Sequence, residues 1–376
     1  MAAPVRITWR QALAWRMGRQ LLVPLGKLSP PEVVDRLCGV QAQVASSAEL
    51  AIRLRQQSSK PGAVARDIGA GRLIKTWAMR GALHLLTPDQ GGRYLSLIAA
   101  GRSWERPVWQ RYFGVSPADM DKLREVVTEV LGDEALTREE LIAGITAKRR
   151  FRHMGEAMRS GWGTVLKPLA WQGDIVFGPS RGRNVTFMRP NVASPTWAGV
   201  PDADESAPDV IVAYLSVYGP ATIDRFDNWL AGGGFGRKRL RGWFDSAGDR
   251  LATVEVDGEE AYAVATDVDE LAATKPTSEV RLLGGFDQYV LGPGTADGHV
   301  TAATRRSKVS LQSGWISPVV IAGGAVAGTW VVEDETLDIA WFSEAGRVPR
   351  NAIDSEGRRL GNLLGRPLNP SISILD

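Results

Sequence analysis

Hydrophobic and polar positions in the first hundred residues follow one order of elements: a helix, a turn, further short helices, and two strands. Apolar residues recur at helical spacing over 8–20, and Thr8 is a suitable N-cap for that helix. The run Ser29-Pro30-Pro31-Glu32 has the pattern of a capping box, so it predicts a second helix that runs to Leu37 and stops at Gly39. The other predicted elements are helices over 47–57 and 63–68 and strands over 72–77 and 82–86, joined across Met79-Arg80-Gly81. A helix-turn-helix followed by such a hairpin is the winged-helix plan.

The same order of elements is predicted twice more along the chain. The second unit comprises helices starting at Asp119 and at Leu136-Thr137-Arg138, a helix over 162–171, and a hairpin of 174–178 and 184–189. The third unit comprises helices over 210–218, 222–230 and 237–244, and a hairpin of 251–256 and 261–264 that turns at Asp257-Gly258. The segment 191–208, rich in Pro, Ala and Asp, is typical of a linker between them.

The final hundred residues are predicted to be rich in β-structure. Strands over 319–322 and 325–330 flank Gly323-Gly324, which is a strong hairpin signal. With strands over 280–283 and 337–342 they are expected to close a small barrel-like sheet, followed by a helix over 355–364.

These elements predict an α+β protein made of three tandem winged-helix units and a C-terminal β-rich, barrel-like module. The expected divisions are a first winged helix at 1–118, a second at 119–190, a linker at 191–208, a third winged helix at 209–275, and the C-terminal module at 276–376.

Composition excludes several classes of function. The chain has one cysteine, Cys38, and three isolated histidines, so we expect no internal disulfide and no metal site. It has no phosphate-binding glycine loop, so we expect no cofactor. We find no long apolar run and no signal-peptide pattern, so we expect no membrane association and a cytoplasmic, nucleoid-associated monomer.

Charge is distributed unevenly along the sequence. Residues 1–120 carry 17 Lys and Arg against 7 Asp and Glu, whereas the net charge of the whole chain is only +3. A basic N-terminal third favours a polyanionic partner held by that part of the molecule. The alternative is that an arginine-rich surface is simply solvated.

Two glutamines, Gln41 and Gln43, stand between the helix-stopping Gly39 and the possible caps Ser46 and Ser47. This position permits an extended backbone, in which side chains two residues apart share a face. A carboxamide offers both a hydrogen-bond acceptor and a donor, so a pair can hold one water without being a strong base. Taken alone, the motif is more typical of a solvated loop than of a catalytic site.

Four phrases occur in the same order as in a known family: Leu37-Cys38-Gly39-Val40-Gln41-Ala42-Gln43, Arg80-Gly81-Ala82-Leu83-His84-Leu85, Gly285-Phe286-Asp287-Gln288-Tyr289 and Gly328-Thr329-Trp330. Through them the chain resembles, over nearly its whole length, the AlkZ-like DNA glycosylases, which carry a Gln-apolar-Gln motif in the first winged helix. A sister branch has aspartate at the second motif position, and Gln43 groups this chain with the Gln-Gln branch.

The resemblance implies a monofunctional glycosylase that acts on double-stranded DNA. Its substrates would be bulky N7-alkylated purines, including interstrand crosslinks, in DNA repair and antibiotic self-resistance. An N7-alkylated purine is already cationic and leaves as a neutral base without a general acid. Gln41 and Gln43 are then the implied catalytic residues, because what remains is to place water on C1′. No lysine suggests itself as a Schiff-base nucleophile, so we expect an abasic product without strand cleavage.

Several further residues are predicted to contact DNA. The hairpin at Gly323-Gly324 is expected to enter the minor groove. His84, in a wing strand, is as compatible with a structural hydrogen bond as with a role near the lesion. The basic candidates for phosphate contacts are Lys75, Arg80, Arg102, Arg106, Lys148, Arg149 and Arg305.

Two other functions use the same helices. A transcriptional regulator would bind a specific sequence without releasing a base, and a structural chromatin protein would bind through salt-dependent contacts alone. In either case Gln41 and Gln43 would be dispensable.

Overall fold

The computed structural model describes residues 4–160 and 163–376. Within these ranges the helices are α1 (Trp9–Arg19), α2 (Pro30–Arg36), α3 (Ala45–Arg53), α4 (Ala63–Gly69), α5 (Pro88–Ala100), α6 (Pro107–Phe113), α7 (Pro117–Leu131), α8 (Arg138–Ala147), α9 (Gly155–Arg159), α10 (Lys167–Trp171), α11 (Pro190–Ala193), α12 (Ala203–Tyr218), α13 (Ile223–Ala231), α14 (Arg237–Ala247), α15 (Val268–Ala273), α16 (Gln288–Leu291), α17 (Arg306–Val309) and α18 (Arg350–Leu364). None of these helices is long and apolar enough to cross a membrane.

The strands of the described ranges form three sheets. They are β1 (Val5–Ile7), β2 (Val40–Gln41), β3 (Ile74–Trp77), β4 (Leu83–Leu86), β5 (Leu136–Thr137), β6 (Val176–Arg181), β7 (Asn184–Met188), β8 (Leu251–Val256), β9 (Glu259–Val264), β10 (Val280–Leu283), β11 (Val319–Ala322), β12 (Ala325–Glu333), β13 (Thr336–Phe342) and β14 (Asn369–Leu375). The sheet orders are β2-β4-β3-β6-β7-β5, β1-β8-β9 and β10-β11-β12-β13-β14.

Local capping signals fix several helix starts where the sequence predicted them. Thr8 caps α1, and its backbone N–H donates to the Gln11 side chain at 3.0 Å. The Glu32 carboxylate accepts from the Ser29 N–H at 2.7 Å, and a matching capping box with Thr137 starts α8. The prediction for α3 was two residues late, because Val44 precedes its first turn and neither Ser46 nor Ser47 caps it.

Some helices are stabilised by contacts between distant residues, and the pattern of hydrophobic and polar positions did not predict them. The helix α5 was missed because Gly91 and Gly92 weaken the helical signal. Both glycines are buried, and a side chain at Gly92 would meet the backbone oxygen of Gly199 at 2.3 Å. Of the predicted helix over 162–171, Trp162 lies outside the described residues, residues 163–166 are not helical, and the helix α10 begins at Lys167.

The three units share sheets and cores. The hairpins β3–β4 and β6–β7 join in one sheet, where Lys75 is paired with Phe177. The third hairpin, β8–β9, takes the N-terminal strand β1 as a parallel neighbour. A common core links the first and third units: the Trp229 ring on α13 lies 5.7 Å from that of Tyr94 on α5 and 4.9 Å from that of Tyr214 on α12. The helix α12 also begins inside the expected linker 191–208, because Asp202 caps it.

The C-terminal sheet is open, so the prediction of a barrel-like module was wrong. Its order leaves β10 and β14 as separate edges. The helix α18 covers one face and touches both edge strands, which leaves them unpaired with one another. Glu356 on α18 accepts a hydrogen bond from the Leu282 N–H of β10 at 3.2 Å, and a side-chain carbon at Gly357 would lie 3.0 Å from Pro370 of β14.

A buried ion pair joins the first unit to the C-terminal sheet. Arg55, just after α3, forms two hydrogen bonds to Asp287, at 2.8 and 2.7 Å, and both side chains are almost fully buried. A buried charge without its partner is strongly destabilising.

Replacing Asp287 by asparagine should therefore lower the free energy of unfolding by about 3–5 kcal/mol, the usual cost of breaking a buried pair. Asparagine retains the acceptor that caps α16, so the variant isolates the charge. Urea unfolding of D287N and of D121N, a matched change at an exposed aspartate, measures the difference. Equal stability of the two variants would show that the pair does not hold the modules together.

Candidate active site and nucleic-acid interface

The glutamine motif lies on the edge strand of the six-stranded sheet. Cys38 and Gly39 have positive φ angles of 54° and 99°, which end α2 and turn the chain into β2. Gln41 is paired antiparallel with His84, and the Ala42 N–H donates to the Leu83 oxygen at 2.7 Å. The extended backbone predicted at Gln41 is therefore confirmed. Gln41 is 8% exposed, and Gln43, in the bend before α3, is exposed.

Gln41 continues a row of buried polar side chains across three strands. His84 is paired with Gln41 on one side and with Thr76 on the other, so the three side chains share a face. His84 and Thr76 are completely buried. Neither the His84 Nε2 nor the Thr76 Oγ1 has a hydrogen-bond partner within the described ranges. Thr76 gave no signal in the sequence, because its importance comes only from strand pairing.

His84 is a neutral imidazole in this position. Burial, reinforced by the charge of Arg80, lowers the pKa of His84 to about 3. Its Nδ1 lies 3.0 Å from the Ala82 carbonyl oxygen, which can only accept, so Nδ1 carries the proton and Nε2 presents a lone pair. Strand pairing buries the ring, which fits the structural role that the sequence left open, and a contact of His84 with DNA stays a prediction.

Arg80 turns inward from the tip of the first wing rather than outward to solvent. Its Nη1 donates to the Trp229 oxygen at 2.8 Å, and its Nη2 is buried without a partner among the described residues. Burial lowers the pKa of Arg80 from its ordinary value. Arg80 therefore does not project from the wing into solvent, and its contact with a phosphate stays a prediction.

The other basic candidates do not form one surface. Lys75 is half-buried, with Nζ 5.8 Å from the centre of the Phe177 ring. Arg102 is bound to Glu105 at 2.6 Å, and exposed Arg106 donates to the Gly234 oxygen at 3.2 Å. Of these, only Arg106 comes together with Arg80, at the mouth of a cavity beside the first wing.

Three candidates lie on other elements. Lys148 is bound to Glu129 at 2.8 Å, while Arg149 is exposed beside it. Arg305 donates to both oxygens of Glu344, at 2.7 and 2.6 Å, so its charge is neutralised within the C-terminal module. A phosphate contact of Arg305 would have to replace this pair, and it stays a prediction.

The Gly323-Gly324 turn packs against α1 in this structure, and its entry into a DNA groove stays a prediction. The Gly324 oxygen accepts a hydrogen bond from the Tyr289 hydroxyl at 2.7 Å. A side chain at Gly324 would meet Leu13 of α1 at 2.6 Å, and the Gly323 N–H donates to the Glu279 oxygen at 3.0 Å. The two glycines allow the turn to pack closely against α1.

A different turn in the same module exposes apolar side chains. The turn is closed by the Leu311 N–H, which donates to the Trp315 oxygen at 2.8 Å, and Ser313 has a φ of 59°. Leu311 is 43% exposed and Trp315 50% exposed, and the Trp315 ring lies against that of Phe286. The sequence signal that was missed is Ser313-Gly314 placed between two large apolar residues.

We also searched the described residues for a metal site, a cysteine nucleophile and a catalytic carboxylate. No group of three His, Cys, Asp or Glu there could hold a metal ion. Burial raises the pKa of Cys38 to about 12, so its thiol is not a nucleophile. The buried carboxylate of Asp287 is paired with Arg55, so it is not free to act as a base or nucleophile.

Comparison with known proteins assigns the chain to a family. Residues 34–363, most of the chain, match the family described as DNA glycosylase AlkZ-like, so this protein belongs to the AlkZ-like DNA glycosylases. It is 48% identical over 362 residues to an interstrand DNA cross-link repair glycosylase of Streptomyces sahachiroi, covering 96% of this chain and 98% of that protein. The solved structure of Streptomyces sahachiroi DNA glycosylase AlkZ matches with a TM-score of 0.95 at 47% identity, over 99% of this chain and 100% of the other.

These comparisons confirm the resemblance inferred from the sequence. They favour a DNA glycosylase over a transcriptional regulator, because the matched family is defined by an enzymatic activity. The mixed α and β architecture is that of the solved relative.

The buried neutral state of His84 predicts a pH-dependent stability. The unfolded chain binds a proton at His84 near pH 6.5, whereas the folded protein binds it only near a pKa of about 3. Between these values the unfolded state holds more protons, so stability falls as the pH falls, by at most about 1.4 kcal/mol per pH unit. Denaturant unfolding of wild type and H84Q, compared at several pH values below 7, measures the difference.

The gap between wild type and H84Q should change across this window and be constant above it. H153Q, a change of the same kind at the exposed His153, is the matched control. A constant gap between wild type and H84Q over the whole range would contradict the neutral, buried assignment.

Proposed function

We propose that this protein is a monofunctional DNA glycosylase that hydrolyses the N-glycosidic bond of bulky N7-alkylated purines, including those of interstrand crosslinks. The observation that carries this is the glutamine motif itself, with Gln41 on the edge strand β2 beside the buried acceptor of His84 and Gln43 exposed in the bend that follows, in a chain of this family. The name of the Streptomyces sahachiroi relative supports crosslinked DNA as the substrate. The three helix and hairpin units are proposed to act as winged helices, in a monomer that works in the cytoplasm at the nucleoid.

The chemistry needs positioning rather than proton transfer at the base. A purine alkylated at N7 is cationic, so cleavage of its bond to C1′ releases a neutral base. The sugar develops oxocarbenium character, and a water must be held against C1′. The carbonyl oxygen of a glutamine accepts from that water, and the second amide fixes its orientation. Neither Gln41 nor Gln43 can ionise, so neither group loses its function by titration.

The row behind Gln41 is proposed to fix its amide. The neutral His84 offers a lone pair at Nε2, which suits an amide N–H of Gln41 and leaves the carbonyl oxygen for water. A protonated imidazole would donate instead and reverse that preference. The low pKa of His84 thus supports one orientation of the catalytic amide.

The decisive test is base release by the wild type and the double glutamine variant. Replacing Gln41 and Gln43 together by alanine should lower single-turnover release of N7-alkylguanine by about 10²–10³, the usual loss when one positioned hydrogen bond is removed. The double variant should lose little more than the worse single variant, because both amides serve one water. DNA affinity should change only a few-fold. Free base measured by chromatography, with intact strands at abasic sites, checks both the activity and its monofunctional character.

Replacing Gln56, a glutamine whose side chain is hydrogen-bonded to the Leu28 oxygen at 2.7 Å, is the matched control. Q56A should retain base release once its stability is taken into account. Full activity of the Gln41 and Gln43 double variant would exclude this mechanism.

The exposed turn at Leu311–Trp315 is proposed to enter the DNA groove. Apolar side chains inserted between base steps open or brace a duplex. The module around the turn contacts the helix that follows the glutamine motif, since a side-chain carbon at Gly284 would lie 3.0 Å from Leu50 of α3. This supports a position on the same side of the molecule as Gln43.

Shortening both side chains, L311A with W315A, should lower excision by at least about tenfold while affinity for undamaged duplex changes much less, because phosphate contacts supply most of that affinity. Both residues are about half exposed, so the melting temperature should fall little. V331A, at an equally exposed valine on β12, is the control. Unchanged excision by the double variant would remove this turn from the mechanism.

A further inference from the structure

A cavity of about 320 Å³ lies beside the tip of the first wing, where the three units meet. Its walls come from the wing, α5, α6, α10 and α13. The cationic members of its lining are Arg80, Arg106 and Lys167, and none of its described lining residues is acidic. The aromatic members are Trp109, Trp171 and Phe235.

Arg80 brings an uncompensated positive charge into this cavity. Its Nη1 is satisfied by the Trp229 oxygen, but its Nη2 is buried and has no partner within the described ranges. The groups that face it from α12 are the hydroxyls of Tyr214 and Tyr218, whose pKa values burial raises, so they carry no negative charge. A buried charge and an unmade hydrogen bond both cost free energy. An anion that accepts a hydrogen bond from Nη2 would both neutralise the charge and supply the missing partner.

Lys167 completes the site from the second unit. Its Nζ would lie 3.2 Å from a side-chain carbon built on Gly81, so the ammonium group sits against the turn that carries Arg80. Arg106 is exposed at the mouth. Neither of these two side chains, nor Arg80, forms an ion pair with a described residue. Three cations from separate units thus converge without a carboxylate between them.

We propose that this cavity binds one phosphoryl group. A phosphoryl group has several acceptor oxygens and a full negative charge, which matches an arginine fork with two further cations. The aromatic walls suit the sugar or base attached to it. Two sources share this chemistry: a backbone phosphate of the bound DNA strand, and a free phosphorylated nucleotide.

The DNA source rests on the proposed function, whereas the anion site itself does not. Gly81 is three residues from His84, the strand partner of Gln41, which is about 10 Å of extended chain. That length corresponds to about three base steps of 3.4 Å along one strand. A strand with its damaged nucleotide at Gln41 can therefore present a neighbouring phosphate to this cavity.

The experiment compares the full-length wild type with K167M, and with K275M as a matched change at an exposed lysine away from the cavity. Lys167 is chosen because it is half-buried, so its loss spares the core that Arg80 supports. The first measurement is the melting temperature in inorganic phosphate against chloride of equal ionic strength. Phosphate should raise the melting temperature of wild type and K275M, because it binds the folded state, and this rise should be lost in K167M.

The second measurement is the salt dependence of binding to duplex DNA. If the phosphoryl group belongs to DNA, the slope of log affinity against log salt should be smaller by about 0.9 in K167M, the value for one lost phosphate contact. If K167M loses the rise in melting temperature with phosphate but keeps the wild-type salt dependence of DNA binding, the site is supported and its ligand is a free nucleotide. No phosphate response in wild type together with an unchanged slope in K167M would overturn the proposal. R106M, at the mouth, provides a second variant that leaves the core intact and should weaken both effects.

Base release by wild type is measured in parallel. Its absence would contradict the proposed function, whereas the phosphate response of the melting temperature would still test the anion site. The two proposals therefore fail by different observations.

Discussion

The bidentate ion pair between Arg55 and Asp287 is the interaction on which the arrangement of this protein depends. Two opposite charges are removed from water and joined by two hydrogen bonds, so neither can be lost alone without a large cost. Arg55 also donates to the Ala51 oxygen within the same turn, which ties the pair to the end of α3. Asp287 in turn caps α16 through the Tyr289 N–H at 2.8 Å. The pair thus fixes the helix that follows the glutamine motif onto the C-terminal sheet.

A chain of contacts continues from this pair to the rest of the fold. The Tyr289 hydroxyl donates to Gly324, and Gly324 packs on α1. Arg16 of α1 donates to the oxygens of Gly219 and Pro220 in the third unit at 3.1 and 2.9 Å. The site therefore stands on a frame in which sequence-distant units are held by directional contacts. Such a frame suits catalysis by positioning, since a water held by two amides must be held within a fraction of an ångström.

The electrostatics around the motif follow from burial. Strand pairing encloses His84 and keeps it neutral, and the wing tip encloses Arg80, which stays charged. The same turn thus presents a neutral acceptor toward Gln41 and a cation toward the neighbouring cavity. The position of Arg80 depends on the close packing of the first and third units, since Arg80 is held by a backbone oxygen 149 residues away.

The sequence predicted what is decided locally. Helix starts at Thr8, Ser29 and Thr137 followed from capping residues, and the extended backbone at Gln41 followed from the helix stop at Gly39. The four short sequence motifs, in their order along the chain, indicated the glycosylase family. Features decided by distant contacts were missed or wrong. Nothing near Arg80 reveals that its side chain turns inward to Trp229, and nothing near Gly324 reveals that it docks on α1. The open C-terminal sheet likewise depends on α18, which follows all but one of its strands.

The central claim is that base release is catalysed by the positioned amides of Gln41 and Gln43, with no proton transferred by an ionising side chain. The most direct test is the single-turnover rate constant for release of N7-alkylguanine, measured from about pH 6.5 to about pH 9 at saturating enzyme. Above the unfolded-state pKa of histidine, His84 no longer makes the stability depend on pH, so this range reports on the chemistry. The account predicts a rate constant that does not change with pH. A tenfold change per pH unit, the slope of one titrating catalytic group, would contradict it.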